Sequence, residues 1–449
     1  MSAMKKLLCL LPLLLLPLVV RADAVTRPNI VFILIDDLGW ADVGFHGGRV
    51  PTPHLDKLAA QGVELTQHYV APVCSPTRSA LLSGRFWSRF GVTTPQNERA
   101  YRWDTMTLPR ALKTMGYDTA LTGKWHLGSL PEWGPLKFGF DHAYGSLAGG
   151  VGPWDHHYKT GPYTRTWHRD DVLVEEQGHV TDLITHEACQ WIEARKDKPF
   201  FLYVPFTAVH IPVREPDAYV QRVAADITDP AERHYAACII HMDESVGRIV
   251  ETLEKTGRRD STLIVFSSDN GGVQAPNADT QYPKDNYPAG HVNGNNKPLH
   301  GDKGDVYEGG IRVPAFVNWP AKLKPGKLDA PIHIADWMPT FCALTGFKPE
   351  ADLKWDGRNV WPLIIHEQPP QSRVLYWVGP NFRERAVRDG DWKLISFEKG
   401  KKPHVELYDL AHDPDETADL AASQPEKVAS LKARLAEVSK ADKDAVADD

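Results

Sequence analysis

Cysteine is scarce in this chain of 449 residues: there are five, and Cys9 lies in an apolar stretch near the start. So few cysteines exclude a disulfide-dense scaffold. The other four are Cys74, Cys189, Cys238 and Cys342. The patterns around Cys189 and Cys238 place both on apolar helix faces. We therefore expect small buried hydrophobic side chains there rather than a bridge.

Positive charge is not in surplus either. Lys and Arg together number 51 against 58 Asp and Glu, a formal net charge of −7. The sequence has no basic stripe and no nucleic-acid-binding motif, so nucleic acid is not expected as a partner. An anionic substrate would have to be attracted by local positive charge in a pocket, because the molecule as a whole is negative.

Long hydrophobic runs are absent after residue 24, so we expect no stable insertion in a membrane. Residues 1–24 carry two lysines, an apolar stretch over 7–20 and small residues before Ala24, the pattern of a signal peptide. Pro12 and Pro17 interrupt the stretch, which favours cleavage over an uncleaved anchor. No Asn-x-Ser/Thr sequon follows. This favours an exported protein, bacterial periplasmic or secreted, over a glycosylated lysosomal one.

Strand and helix patterns alternate over most of the chain. Residues 29–35 form a continuous apolar run, typical of a strand buried on both faces in a parallel sheet. Residues 52–62 follow with a helix pattern that starts at Thr-Pro and stops at Gly. Further strands are predicted at 117–121, 200–204 and 263–266, and a long helix at 229–255. This order predicts an α/β domain over residues 25–370.

The pattern changes after two consecutive prolines at 369 and 370. Short strands at 374–377, 384–388 and 393–395, then a helix at 425–438, predict a small α+β subdomain over residues 371–449. The last residues, 441–449, are charged, and we expect them to be frayed.

Polar side chains follow four of the predicted strands. They are Asp36 and Asp37, then Lys124 and His126, then His210, then Asp269 and Asn270. Because ligands bind beyond the carboxyl ends of strands in open parallel sheets, we expect these groups to meet at one edge. The acids and the amide give only oxygen donors, which favour Ca²⁺ or Mg²⁺ over Zn²⁺. The alternative is that the paired acids cap the next helix.

The string from Cys74 to Arg78 is unusual for a structural cysteine. It follows an extended run and enters a predicted helix, 77–83, that stops at Gly84. Cys74 would then lie at a helix N-terminus, where an unmodified thiol would be acidified. Arg78 lies one turn further along the helix.

Continued to Arg85, this string resembles the signature of the type I sulfatases. In that family the cysteine is oxidised to Cα-formylglycine by a formylglycine-generating or sulfatase-maturing enzyme. The match extends to an Asp-Asp pair, a Gly-Lys-Trp-His-Leu-Gly motif, a Val-His-x-Pro motif, Ser-Asp-Asn-Gly-Gly, and a Lys before Glu-Gly-Gly-x-Arg-x-Pro. The resemblance implies the alkaline-phosphatase-like α/β fold: a large mixed, mostly parallel sheet sandwiched by helices, with a small C-terminal antiparallel sheet and helix.

The resemblance also implies the site residues. One divalent cation, usually Ca²⁺ with Mg²⁺ possible, would be bound by Asp36, Asp37, Asp269, Asn270 and the formylglycine from Cys74. The catalytic set would be Cys74, Arg78, Lys124, His126, His210 and Lys303. Glu308 and Arg312 would form a structural salt-bridged turn.

The resemblance further assigns roles in sulfate ester hydrolysis. Hydrated formylglycine supplies the nucleophile, and Asp37 or a neighbour takes its proton. Arg78, Lys124 and Lys303 hold the sulfate oxygens. His210 protonates the leaving alcohol, and His126 deprotonates the second hydroxyl to expel sulfate.

Around residues 123–158 the sequence resembles the arylsulfatase B branch. Trp154, His156 and His157 would form a rim that stacks on sugar rings, although loop packing would explain them as well. Asn286 and His291, in a long Gly/Asn/Pro-rich loop, could add polar contacts. We expect a sulfated hexosamine or galactose unit of a glycosaminoglycan or algal galactan, with a 4-O-sulfate favoured.

Three alternatives remain open. The chain could be a formylglycine-dependent phosphonate or phosphate ester hydrolase of the same superfamily. It could be an inactive carbohydrate-binding homologue, or a thiol enzyme that uses unmodified Cys74. The sequence does not predict the oligomeric state.

Overall fold

The computed structural model describes residues 27–223, 225, 227–277, 282–283, 285–398 and 403–448. The predicted signal peptide lies outside these residues. Among the described helices, none has the length and apolar character needed to cross a membrane.

Ten α-helices occur in the described residues. They are α1 (Pro53–Ala60), α2 (Cys74–Ser83), α3 (Leu108–Thr114), α4 (Val180–Glu193), α5 (Asp217–Val223), α6 (Pro230–Lys255), α7 (Glu308–Ile311), α8 (Trp337–Thr345), α9 (Trp361–Ile364) and α10 (Pro425–Val438).

Eighteen strands occur in the same part of the chain. They are β1 (Asn29–Ile35), β2 (Val63–Leu65), β3 (His68–Tyr69), β4 (Asp118–Lys124), β5 (His142–Ser146), β6 (Trp167–Arg169), β7 (Val172–Leu173), β8 (Phe200–Pro205), β9 (Thr262–Ser268), β10 (Gln274–Pro276), β11 (His291–Asn293), β12 (Ala315–Asn318), β13 (Gly326–Leu328), β14 (Ile332–His333), β15 (Val374–Val378), β16 (Glu384–Asp389), β17 (Trp392–Phe397) and β18 (His404–Asp409).

The main sheet has ten strands in the order β13-β2-β12-β9-β1-β8-β4-β5-β6-β7. The central strands β9, β1, β8, β4 and β5 are all parallel. Strand β12 pairs antiparallel with β9, β6 with β5, and β7 with β6, which makes the sheet mixed. The predicted large, mostly parallel sheet is confirmed.

Strand β1 shows why the sheet needs helices on both faces. Ile30, Phe32 and Leu34 pack into one hydrophobic cluster, which includes residues of α2, α3 and α8. The alternate residues Val31, Ile33 and Ile35 enter a second cluster, with residues of α1, α4 and α6. All seven residues of β1 are buried. An apolar run without alternation is what a two-sided core requires.

The small C-terminal sheet is separate and antiparallel, in the order β15-β16-β17-β18. Helix α10 packs on it through Leu431 and Leu435. This agrees with the predicted α+β subdomain, while the boundary at residue 370 stays a prediction.

Three local expectations were wrong or only partly right. Helix α2 begins at Cys74 itself, three residues earlier than predicted. Residues 441–445 are not frayed, because the amides of Lys443 and Ala445 donate to the carbonyls of Ser88 and Arg89. Cys189 is only partly buried, and all four described cysteines are free thiols.

Candidate active site

Cys74 lies at the first turn of α2, beyond the carboxyl edge of the main sheet. Val73 before it is extended, and Gly84 ends the helix with a φ of 70°. Two hydroxyls fix this turn: Thr77 donates to the Asp269 carbonyl at 2.6 Å, and Ser75 donates to the His126 carbonyl at 2.9 Å. The start of α2 is thereby tied to the ends of β9 and β4.

The thiol of Cys74 is buried and lies 3.2 Å from Nδ1 of His126. Burial raises the pKa of Cys74, and the nearby Lys124 and Lys303 only partly oppose the rise. The acidified thiol expected at a helix N-terminus is therefore not what this environment produces. An unmodified Cys74 would be a poor nucleophile here.

Three carboxylates converge beside Cys74. Asp36 and Asp37 follow β1 directly, and Asp37 takes a left-handed φ of 66°. Its amide donates to Oδ1 of Asp269 at 3.3 Å, and the amide nitrogen of Asn270 donates to Oδ1 of Asp37 at 2.8 Å. Single ligand atoms of Asp36, Asp269 and Cys74 all lie within 4.8 Å of one another.

Three cationic side chains balance these carboxylates. Nη2 of Arg78 is 2.6 Å from Oδ2 of Asp269, and Lys124 donates to Asp36. Lys303 reaches Asp37 from the long loop, with Nζ 2.6 Å from Oδ1. Because all six groups pair locally, the cluster as described carries no net formal charge.

The electrostatic environments of Asp36 and Asp37 differ. Burial, with Asp269 close by, raises the pKa of Asp36 to about 7. Burial acts in the same direction on Asp37, but Lys303 outweighs it, helped by the hydrogen bond from Asn270, and holds the pKa of that carboxyl well below its usual range. Asp37 is thus held as a carboxylate by the residues opposite it.

Arg78 is fully buried, and both terminal nitrogens of its guanidinium make hydrogen bonds. Nη1 donates to the Lys124 carbonyl at 2.7 Å, while Nη2 holds Asp269. The geometry therefore favours a positioning role over the predicted direct hold on sulfate oxygens. The ammonium groups of Lys124 and Lys303 are not fixed by two hydrogen bonds in this way.

Two buried oxygen atoms at the centre of the cluster make no hydrogen bond. They are Oδ1 of Asp36 and Oδ1 of Asn270. An unpaired buried acceptor costs about 1–3 kcal/mol, so such atoms need a partner. With Asp37 and Asp269 they form an oxygen set that fits a hard cation such as Ca²⁺ or Mg²⁺. The residues present therefore fit the predicted metal.

His126 and His210 flank the carboxylates. His126 has a left-handed φ of 57° and a buried Nε2 without a hydrogen-bond partner. Burial, then Lys124, holds the pKa of His126 well below its usual range, so the ring is neutral. Burial, then Lys303, does the same for His210.

His210 presents one ring nitrogen to the carboxylates. Its Nδ1 contacts the Ile211 carbonyl, which assigns the proton to Nδ1 in the neutral ring. Nε2 then carries the lone pair and lies 3.7 Å from Oδ2 of Asp37. Lys303 contacts the same carboxylate, so both groups face one side of the cluster.

A glycine pair that the sequence reading did not single out forms the wall of the site. A Cβ on Gly149 would lie 2.3 Å from Nε2 of His126. A Cβ on Gly150 would lie 2.5 Å from the Tyr282 hydroxyl and 3.4 Å from the His210 ring. The Gly-Gly sequence that begins three residues after β5 was the available signal.

The predicted rim residues fall into two groups. Trp154 is 36 % exposed and donates to the Arg214 carbonyl, and His157 is partly exposed beside Asp155. Both lie on the loop that continues from Gly150. His156 is 4 % exposed, because its ring stacks 4.7 Å from Trp167, so it packs beneath the rim and its contact with substrate stays a prediction.

The other two predicted contacts lie on the long loop. His291 is exposed at the start of β11, which pairs with β10. Asn286 has a φ of 44° and is exposed. Neither residue lies in the buried cluster.

A second group of potential metal ligands consists of His179, Asp182 and His241. The His179 and His241 rings are 4.9 Å apart and tilted by 35°, in a near-stacked arrangement. Because ring lone pairs lie in the ring planes, two such rings do not direct them at one ion. His241 is instead held edge-on between Glu215 at 2.7 Å and Asp182 at 3.2 Å, with Tyr219 stacked on it.

Comparisons with known proteins agree with this geometry. The family described as Sulfatase matches residues 28–347, and the family described as N-sulphoglucosamine sulphohydrolase, C-terminal, matches residues 299–441. Arylsulfatase J of Mus musculus is 31 % identical over 92 % of this chain and 76 % of its own length. N-acetylgalactosamine-6-sulfatase of Mus musculus is 33 % identical over 83 % of this chain and 72 % of its own length.

Solved structures give the same result. The structure described as Ps i-CgsB in complex with k-i-k-neocarrahexaose is 30 % identical, has a TM-score of 0.81, and covers 94 % of this chain and 95 % of its own. The PsFucS1 sulfatase from Pseudoalteromonas sp. is 24 % identical, with a TM-score of 0.75, and covers 93 % of this chain and 91 % of its own. That second likeness concerns the fold alone.

Proposed function

This chain belongs to the sulfatase family, and we propose that it removes sulfate from a sulfated carbohydrate by means of a formylglycine made from Cys74. The observation that carries the proposal is the position of Cys74. It lies against Asp36 and Asp269 on one side and His126 on the other. Burial raises its thiol pKa, which argues against the thiol enzyme as an alternative.

Charge supports an anionic substrate. Three carboxylates face three cations in the cluster. A dication held by the free oxygens of Asp36 and Asn270 would add two positive charges. The site would then attract a sulfate ester, although the whole chain has a net charge of −7.

The chemistry is proposed to divide between the bound groups and the chain. A hard dication would polarise a sulfate oxygen, and a hydrated formylglycine would supply the nucleophilic hydroxyl. Lys124 and Lys303 would hold the other sulfate oxygens. His126, 3.2 Å from position 74, would accept the proton that accompanies sulfate release. His210 and Lys303 would face the leaving oxygen.

The substrate is proposed to be a sulfated hexosamine or galactose unit of a glycosaminoglycan or algal galactan. Relatives support this class: one is named for N-acetylgalactosamine 6-sulfate, and one structure holds a neocarrahexaose. The exposed Trp154 offers a flat ring on which a sugar can stack. A 4-O-sulfate and a 6-O-sulfate both belong in the test. We further propose export to a periplasm or the medium, where the sulfated polymers occur.

A substrate panel tests the function. Released sulfate is measured from 4-O- and 6-O-sulfated N-acetylgalactosamine and galactose oligosaccharides and from 4-nitrophenyl sulfate. The phosphate and phosphonate analogues and a Cys74→Ala variant serve as comparisons. We expect sulfate release that depends on Cys74. Faster turnover of phosphonate or phosphate would support the superfamily alternative. Equal oligosaccharide affinity of the two proteins, without turnover in either, would indicate a binding protein.

The predicted acid role of His210 has its own test, because the neutral ring carries its lone pair on Nε2 and would have to take up a proton there before it acts as the acid. A sugar alcohol is a poor leaving group and needs a proton, whereas 4-nitrophenolate does not. His210→Ala should therefore slow sugar sulfates about 100-fold or more, the usual scale of general acid catalysis, and aryl sulfates much less. Equal losses on both substrates would remove His210 from that role.

A further inference from the structure

An acidic segment covers part of the catalytic domain far from its own position in the sequence. This segment, residues 441–448, lies along residues 85–103. Backbone amides of Lys443 and Ala445 donate to Ser88 and Arg89 at 2.8 and 2.9 Å. The segment is therefore bound in an ordered way by its backbone and not by side-chain charge alone.

Four arginines, which we name the arginine row, receive this segment. They are Arg85, Arg89, Arg99 and Arg102. Arg85 holds both oxygens of Asp444 at 2.8 Å, and Arg89 holds Asp442 at 3.1 Å. Arg102 lies 3.3 Å from Asp448, and Arg99 donates to the Asp448 carbonyl.

The two halves of the row differ in burial. The Arg89 side chain is 3 % exposed and that of Asp442 is 10 % exposed, so this pair is part of the fold. Arg102 and Asp448 are 44 % and 71 % exposed. Exposed pairs of this kind are worth about 0–1 kcal/mol, so an external anion can replace Asp448 at small cost.

A groove of about 630 Å³ opens at the exposed half of the row. Its lining includes Arg99, Trp103, Trp133 and the acidic Glu98, together with Val446 and Asp448 of the segment, and Arg102 adjoins it through its ion pair with Asp448. Trp103 is 50 % exposed, although it is a large aromatic ring; the Arg99 guanidinium lies 4.4 Å from its centroid, and Phe138 stacks on part of the ring with centroids 5.7 Å apart. An exposed flat ring beside guanidinium groups suits a sugar that carries sulfates.

One end of this groove adjoins the active site. Gln96 lines it, and the Gln96 amide donates to Oγ of Ser75 at 2.9 Å. Ser75 is the neighbour of Cys74, and Gln96 also pairs with Leu127, the neighbour of His126. The groove is therefore joined to the catalytic centre through the sequence neighbours of Cys74 and His126.

We propose that this groove binds a distal stretch of a sulfated glycan, and that residues 446–448 cover its arginines until the glycan replaces them. The proposal rests on the proposed function, because it makes the substrate a polymer rather than a monosaccharide. The carboxylate of Asp448 and its carbonyl take the places that two sulfate groups would take on Arg102 and Arg99. Turnover of small esters does not need the groove.

The test is a binding measurement on the full chain with dextran sulfate, unsulfated dextran and polyglutamate of matched length. The variants are Arg102→Ser, Trp103→Ala and a chain shortened after Ala445. Arg434→Ser is the control, since Arg434 is 60 % exposed and pairs with Asp389 at 3.3 Å on the C-terminal subdomain. Trp103 is included because loss of the ring leaves the charges of the row unchanged.

We expect dextran sulfate to bind and neutral dextran not to bind. Arg102→Ser and Trp103→Ala should each weaken binding about fivefold, while Arg434→Ser leaves it unchanged. The shortened chain should bind about threefold more tightly, because the competing carboxylate is gone. Polyglutamate should bind at least about fivefold more weakly than dextran sulfate, since it lacks sugar rings that stack on Trp103.

Equal affinities across all variants would overturn the proposal, as would equal binding of polyglutamate and dextran sulfate. The binding assay does not require turnover, so it stands apart from the panel that tests sulfate release. In a catalytic version, Arg102→Ser should raise KM for a polymeric sulfate and leave KM for 4-nitrophenyl sulfate unchanged. A rise for both would place the effect in the active site and contradict a separate groove.

Discussion

Substitution of Lys393 by Met tests how the C-terminal sheet is attached to the catalytic domain. Lys393 lies on β17 with no exposure, and its Nζ is 2.9 Å from Glu308 and 2.8 Å from Glu416. Glu308 accepts a bond from Tyr69 at 2.6 Å, and Arg388 donates to that tyrosine. Glu308 begins α7, five residues after Lys303. The buried lysine therefore holds together two carboxylates in the contact between the two sheets.

The magnitude follows from what the substitution leaves behind. Removing one partner of a buried ion pair costs about 3–5 kcal/mol, because an uncompensated charge stays in the interior. Burial raises the pKa of Glu416 to about 7, so this carboxyl can take a proton and lose its charge. Glu308 still has Arg312 at 3.7 Å. We therefore expect the free energy of unfolding to fall by about 3 kcal/mol, the lower end of this range.

The assay is urea unfolding, followed by the fluorescence of buried tryptophans such as Trp377. The control is Lys327→Met, because Lys327 pairs with Glu64 at the same 2.8 Å but is 67 % exposed. Its loss should cost less than about 1 kcal/mol. The combination Lys393→Met with Glu416→Gln should recover part of the loss. A Lys393→Met cost equal to that of Lys327→Met would refute the reasoning.

Three further predictions concern pH, space and metal. Burial lowers the pKa of His241, but the carboxylates of Asp182 and Glu215, which accept hydrogen bonds from the ring, outweigh burial and raise this pKa to about 9. Because this pKa in the folded protein exceeds the ordinary value of about 6.5, the charged ring stabilises the fold fully below about pH 6.5. The free energy of unfolding should then fall by about 3 kcal/mol as the pH rises through 9. Unfolding of His241→Gln should lack this slope, and a slope equal to wild type would contradict the charge assignment. Gly149→Ala should lower kcat and cost about 1–3 kcal/mol of stability, because its Cβ would lie 2.3 Å from the buried His126 ring and would displace it; unchanged kcat and stability would show that the ring has room. Chelation should lower both activity and melting temperature, and Ca²⁺ or Mg²⁺ should restore them; a melting temperature unaffected by chelator would exclude a bound cation.

The sequence predicted the core of the site because the strands that precede its residues are parallel, and parallel strands have their carboxyl ends at one edge of the sheet. Asp36 and Asp269 both end strands of apolar residues, and strands of that kind become parallel neighbours in a sheet. The order of strands then brings their carboxyl ends together, although the residues are more than 200 positions apart. Thr77 ties the start of α2, and with it Cys74, to the end of β9 through a hydrogen bond to the Asp269 carbonyl, which a local pattern does not reveal.

The parts that the sequence did not predict depend on packing between distant segments. His156 has the composition of a rim residue, but its place is decided by Trp167 on β6. Residues 441–448 have the composition of a frayed end, but Arg85 and Arg89 supply partners from the other side of the chain. Neither contact leaves a periodic signal in the sequence. Gly149 was not predicted for a different reason: glycine has no side chain that would mark it as a site residue.

The central claim is that position 74 acts as an aldehyde hydrate and not as a thiol. The most direct measurement is the mass of the peptide that carries residue 74, taken from protein whose sulfatase activity has been measured in the same preparation. The account predicts a peptide about 18 Da lighter than the cysteine form, in a fraction that rises in proportion to activity across preparations. An active preparation in which this peptide carries only unmodified cysteine would contradict it.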